Sequence, residues 1–253
     1  MTEPAFFAGT PVRFSHLRAY GRSPAHGRHA RIAPKGDETL AMERGTAVHA
    51  ILFGTKKVIG YPGATRRGKE YDAFVASHPD HEILSMKEYD KAMRMADAVI
   101  ACDLATPLLQ GVTEETLLFD WMGLKCRATP DVRGAGFLTE LKTSQSSDPN
   151  KFLWHARRMH YHAQMRFQNI ACGMTALDSY IVCVEAADPF PVTVFRIDEK
   201  ALEVGEKLLM GWAECLKGAE ASQVFSPYVS CIVPIDLPDN DDLDLVFPET
   251  ETI

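Results

Sequence analysis

Apolar residues recur at helical spacing in "SMKEYDKAMRMADAVIA", where Met86, Tyr89, Met93, Ala96 and Ile100 share one side. Ser85 and Glu88 form an S-x-x-E capping box at its start, so this stretch predicts a well-marked helix. An earlier helix is predicted over Leu40–Phe53. The pattern then changes to strand-like segments: "ETLLFDWM", "GLKCRATPDV" and "GFLTELKT". In the second, Leu124, Cys126 and Ala128 alternate with Lys125, Arg127 and Thr129. "RGAG" is a turn signal, so the last two segments read as a hairpin. A long helical stretch follows from about Pro149 to Ala171. Strands "DSYIVCVEA" and "PVTVFRID", joined by "ADPFP", come next, and then a helix from Asp198 to Leu216. The first 35 residues, punctuated by Gly, Pro, Arg and His, read as loop-rich. The order predicts a mixed α/β domain with a central sheet flanked by helices.

Composition sets the scale. With 253 residues, 46% hydrophobic and 24% charged, the chain can bury a proper core. Three parts are expected: a loop-rich segment (1–35), a main domain (36–235) and an acidic tail (236–253). The six cysteines form no C-x-x-C pair, and several sit in apolar runs, so they read as reduced thiols of a cytoplasmic protein. No window reaches the ~18 apolar residues of a membrane span, and no membrane partner is expected.

The net charge of -7 has an uneven origin. Beyond Pro234 lie Asp236, Asp239, Asp241, Asp242, Asp244, Glu249 and Glu251, with no Lys or Arg after Lys217. Without these seven, the 34 acids fall to 27 and match the 27 Lys and Arg. The body is therefore neutral, and its bases cluster in residues 13–35, in "TRRGKE" and in "WHARRMHYH". Arg66, Arg67 and Lys69, with Arg157 and Arg158, are candidate phosphate contacts; a solvated face is the competing reading.

The densest chemistry lies in "PDVRGAGFLTELKT". Strand alternation puts Glu140 and Lys142 on one face with Leu138, and Phe137, Thr139 and Leu141 on the other. The turn folds Asp131 back toward Glu140. Two converging carboxylates call for a cation between them, and hard oxygen ligands suit Mg²⁺ or Mn²⁺. A neighbouring Lys can orient or help deprotonate a metal-bound water. An E-x-K pair on an exposed strand is more often a solvent-facing ion pair worth little. Here apolar side chains on both faces argue for a buried site.

Pro130-Asp131 followed by Glu140-Leu141-Lys142 resembles the PD-(D/E)xK nuclease signature. The flanking segments resemble its exodeoxyribonuclease VIII (RecE-like) branch, related to phage λ exonuclease and the RecB nuclease domain. "RSPAHGRHA", "RGTAVHAILF", "RRGKEYDAF", "KCRATPDV", "TELKTSQSSDPNKF", "YHAQMRFQ" and "RIDEKALEVGEKLLMGWAECL" occur in that branch's order, over roughly residues 13–218.

The resemblance implies a restriction-endonuclease-like α/β core in which Asp131 and Glu140 bind divalent metal, with the Leu141 carbonyl as a further ligand. Lys142 would be the catalytic lysine, and His49 of "GTAVH" would join the metal site. Gln164 would position the DNA end or the water. Tyr161, Gln164 and Gln168 share one helical face, so Tyr161 is a further candidate DNA contact. The branch often has Tyr where this chain has Gln168. The implied activity is metal-dependent exonucleolytic hydrolysis of linear double-stranded DNA, 5′ to 3′, in recombination of the phage type. The implied assembly is a homo-oligomeric ring serving a single-strand annealing protein. A non-catalytic DNA-end-binding scaffold is the rival, against which the intact Asp131, Glu140 and Lys142 speak. An iron–sulfur nuclease is excluded by the cysteine spacing.

Overall fold

A computed structural model of the chain describes residues 10–33, 36, 38–173, 178–229 and 231–234. The acidic tail, 236–253, lies outside the described residues. The segment read as loop-rich folds differently from that expectation, into helices α1 (Phe14–Tyr20) and α2 (Pro24–Ile32). Ser23 accepts the His26 N–H, and Pro24 takes the first helical position, where its missing N–H costs nothing. What looked like loop punctuation is a helix start.

Helix α3 (Leu40–Phe53) keeps its expected bounds, capped by Thr39 and ended by Gly54 at φ 65°. Strand β1 (Lys57–Tyr61), helix α4 (Lys69–Ser77) and strand β2 (His81–Ser85) follow, with β1 and β2 paired in parallel. Helix α5 (Met86–Ile100) begins as expected: the Ser85 side chain accepts the Glu88 N–H. The Glu88 carboxylate instead accepts from Arg44 of α3, at 2.7 Å, and ties the two helices together.

Strands β3 (Val112–Thr113), β4 (Leu117–Trp121), β5 (Leu124–Ala128), β6 (Val132–Arg133) and β7 (Phe137–Ser144) come next. The expected continuous strand through "GLKCRATPDV" is interrupted. Pro130 has no N–H to give a ladder, and β5 turns back on β4 while β6 pairs with β7. The expected hairpin is therefore short, joining Val132 to Thr139 and Arg133 to Leu138. The expected helix from Pro149 to Ala171 is likewise two: α6 (Pro149–Met159) and α7 (Tyr161–Ala171), broken at His160, which sits in the left-handed region at φ 57°. Strands β8 (Asp178–Glu185) and β9 (Val192–Ile197) form the expected hairpin, and α8 (Glu199–Ser222) runs six residues beyond its expected end.

The main sheet has the order β3-β6-β7-β8-β9. Only β7 and β8 run parallel, because α6 and α7 carry the chain back across the sheet between them. The sheet is thus mixed and flanked by helices. Leu141 of β7 packs with Val48 of α3, Met95 and Val99 of α5, and Val182. Leu138, on the other face, meets Met165 of α7. Burying each such side chain contributes about 1.5–3 kcal/mol. A second core joins α1, α7, α8 and the β4–β5 hairpin around Phe167 and Trp212. Gly205 lets α8 press on α7: a Cβ there would lie 2.7 Å from the His162 carbonyl oxygen and 2.8 Å from the Ala163 Cα.

Candidate active site

Strand β7 is the spine of the site, and its two faces hold different polar groups. Toward α7, the Glu140 carboxylate is only 3% exposed yet fully engaged. Its Oε2 accepts from Lys142 Nζ at 2.6 Å and from Gln164 Nε2 at 2.8 Å, while Oε1 accepts from Gln168 Nε2. Gln164 and Gln168 lie one helical turn apart, so both reach the same carboxylate. Lys142 Nζ also lies 5.0 Å from the centre of the Tyr161 ring. Burial works against the Lys142 charge, but Glu140 and then Asp131 outweigh it and hold its pKa above the usual lysine value.

The edge toward α3 differs. Asp131, between β5 and β6, uses Oδ2 to accept the Leu141 N–H at 2.7 Å. His49 Nε2 lies 3.1 Å from the Leu141 carbonyl oxygen, the geometry of an Nε2–H donor. That tautomer turns Nδ1 toward the acids, 3.7 Å from both Asp131 Oδ1 and Glu114 Oε1. Ligand atoms of His49, Glu114 and Asp131 all lie within 4.8 Å of one another.

Burial, then the Glu140 charge, pushes the Asp131 carboxyl up to about 7. Burial alone would lower the His49 pKa; the Asp131 charge and the Glu114 hydrogen bond outweigh it and raise the value. One imidazole nitrogen and two carboxylates make a hard N/O donor set that fits Mg²⁺ or Mn²⁺.

His49 and Asp131 therefore come together as the sequence implied. Glu140 and Leu141 are adjacent to them but otherwise engaged: Glu140 in the Lys142–Gln164–Gln168 network, Leu141 through its backbone to His49 and Asp131. Glu114 was not singled out from the sequence. It sits at φ 52°, and its N–H donates to the Asp131 carbonyl, turning its side chain into the cluster. Neighbouring Glu115 turns away to pair with Arg133.

Two hollows flank this centre. One, of 470 Å³, is lined by Thr46, His49, Lys56, Glu114 and Asp131. The other, of 270 Å³, is lined by Arg13, Ser15, Arg127, Thr129, Gln164 and Gln168. Arg13 and Arg127, absent from the phosphate contacts read from the sequence, thus share a hollow with Gln164 and Gln168, the partners of Glu140. Arg66 is committed elsewhere, donating to Glu43 at 2.6 Å and to the Ile83 carbonyl at 3.1 Å. Arg67, Lys69, Arg157 and Arg158 are exposed.

Comparison with known proteins bears on the family and the fold. No curated protein is matched by the chain's sequence. A candidate exonuclease from Eubacterium rectale has a similar solved structure, at TM-score 0.63 and 13% identity over 97% of this chain and 98% of that one. LHK-Exo, solved in complex with dAMP, aligns at TM-score 0.41 and 14% identity, over 84% of this chain and 91% of that one. The family profile of a PDDEXK-like domain of unknown function, DUF3799, matches residues 14–228. The chain belongs to that family and so to the PD-(D/E)xK nuclease superfamily.

Proposed function

We propose that this protein is a divalent-metal-dependent DNA exonuclease that hydrolyses linear duplex DNA from its 5′ ends. The observation that carries the reading is the meeting of His49, Glu114 and Asp131 beside the network in which Glu140 of β7 accepts from Lys142 of the same strand and from Gln164 of α7. His49, Glu114 and Asp131 would hold Mg²⁺ or Mn²⁺, with Glu140 and the Leu141 carbonyl close at hand. Held by these residues, a divalent ion would supply Lewis acidity, lowering the pKa of water beside it and offsetting negative charge on the phosphate.

The remaining roles belong to side chains. Lys142 keeps its proton, since Glu140 and Asp131 stabilise the ammonium, so it serves as a charged donor that orients water or phosphate and not as the base. Gln164, held by Glu140, presents its amide at the same place. Arg13 and Arg127 line the hollow beside Gln164 and supply guanidinium forks for the substrate backbone. Arg67, Lys69, Arg157 and Arg158 extend the basic surface. A neutral body retains a polyanion if several copies close around it, so a homo-oligomeric ring acting for a single-strand annealing protein in the cytoplasm completes the reading.

Incubation with 5′- or 3′-labelled linear duplex, with Mg²⁺ or EDTA, tests this. The expected result is metal-dependent release from 5′ ends and no cut in covalently closed circles. Nicked circles would overturn the exonuclease assignment, and no hydrolysis with either Mg²⁺ or Mn²⁺ would overturn the nuclease.

A further inference from the structure

Helix α6 carries Lys151, Arg157 and Arg158 and no acidic residue, which makes it one of the most basic elements of a chain whose net charge is negative. All three side chains are exposed, and none pairs with a carboxylate among the described residues. Its N-cap acid, Asp148, is occupied in accepting the Asn150 and Lys151 N–H groups. Between these bases stands Trp154, 64% exposed, with the Arg158 guanidinium carbon 5.7 Å from its ring centre. By contrast, Phe152 on the inner side of the same helix is buried on Phe195. Trp154 contributes nothing to the core.

The position of α6 links this face to the active site. Lys142 lies over the Tyr161 ring, and the Tyr161 hydroxyl lies 3.3 Å from His155 Nε2, one residue along from Trp154. A strand leaving the site past Tyr161 would meet α6 next.

We propose that the outer face of α6 is a stacking platform for single-stranded DNA: one base packs on the Trp154 indole while Lys151, Arg157 and Arg158 hold the flanking phosphates. The inference rests on the nuclease reading, which supplies the single strand as the remnant of a digested duplex. An aromatic face among unpaired cations matches what single strands offer, since every base has a π-face and every linkage a negative charge. A protein partner would instead be expected to meet a wider apolar surface, with its charges at the rim.

The test needs neither metal nor turnover. The full chain is titrated in EDTA with a fluorescently labelled oligothymidylate, read by anisotropy and by tryptophan emission. Of the three tryptophans, Trp212 is buried and Trp121 half-buried, so Trp154 is the one a base can reach. The expected result is emission quenching and an affinity that falls with salt. Trp154→Ala should weaken binding about five- to a hundredfold, and Trp154→Phe should recover much of it. Arg157→Ala with Arg158→Ala should flatten the salt dependence. Undiminished affinity in Trp154→Ala overturns the platform, as does a change of oligomeric mass in that variant with no change in DNA affinity, which would make this face a contact between copies. Oligonucleotide binding through Trp154 in a chain that cleaves nothing would support the platform while overturning only the nuclease reading.

Discussion

The two sides of β7 handle buried charge in opposite ways. On the α7 side, Glu140 has one cation and two amides, so its lone pairs are satisfied inside the protein. On the α3 side, Asp131 and Glu114 lie against one imidazole, and burial and then Glu140 push the Asp131 carboxyl up to about 7, although His49 and Lys142 both favour its charged form. A satisfied carboxylate can serve its neighbours as scaffold, whereas a buried acid whose charged form is disfavoured gains most from a bound cation. On the proposed function, the difference separates a positioning half from a binding half, although both come from a few residues around one strand.

The largest effect expected from this division is on catalysis. Asp131→Ala should lower metal-dependent hydrolysis about a thousandfold, the loss of several kcal/mol of barrier lowering, while the protein stays folded. Cleavage at the wild-type rate would break the division at its binding half.

The next effect should appear in stability and on the opposite side. Lys142→Ala leaves Glu140 buried without its cation, and such a removal costs about 3–5 kcal/mol. Asp131→Asn removes a charge that nothing fully compensates, so thermal unfolding at pH 8 without metal should show it as stable as the wild type or more so. Equal destabilisation by both substitutions would mean that the halves do not differ.

The residues of the positioning half stood out in the sequence, but Glu140 was expected there as a metal ligand and not as the acceptor for Lys142, Gln164 and Gln168. The E-x-K spacing and the turn-apart Gln164 and Gln168 follow from strand and helix periods alone, and α7 delivers both amides to Glu140. The binding half was legible only through His49 and Asp131. Glu114 stands beside Glu115 in "TEET", and only a left-handed backbone at Glu114 decides which acid turns inward. The β1–β2 pair was unread because parallel strands with an intervening helix leave no hairpin signature. His160 breaks α6 from α7 in a conformation that no glycine announces. Ser23-Pro24 was misread as loop because capping residues and turn residues are the same residue types.

A smaller effect concerns how α7 is held in place. Gly205→Val would drive side-chain atoms into the His162 and Ala163 backbone, and overpacking of this kind costs about 1–3 kcal/mol. By moving α7 it should disturb Gln164 and lower hydrolysis more than metal affinity, which parallel activity and metal-binding assays would show. The smallest effect is expected at Arg66. Its partly exposed pair with Glu43 is worth about 0–1 kcal/mol, so Arg66→Ala should leave unfolding nearly unchanged and should not alter any preference for 5′-phosphorylated ends. A lost preference in that variant would return Arg66 to the DNA surface.

Calorimetric titration of Mn²⁺ into the metal-free protein at pH 6 and pH 8 tests the division most directly. The Asp131 pKa is raised on folding, so stability from its proton is present below about 4 and is lost as pH rises to about 7. Metal must displace that proton at pH 6 but finds little of it at pH 8. The expected result is binding that tightens with pH and releases protons at the lower value, is lost in Asp131→Asn, is weakened in Glu114→Gln and is retained in Lys142→Ala. Undiminished Mn²⁺ binding by Asp131→Asn, or binding abolished only in Lys142→Ala, would contradict it.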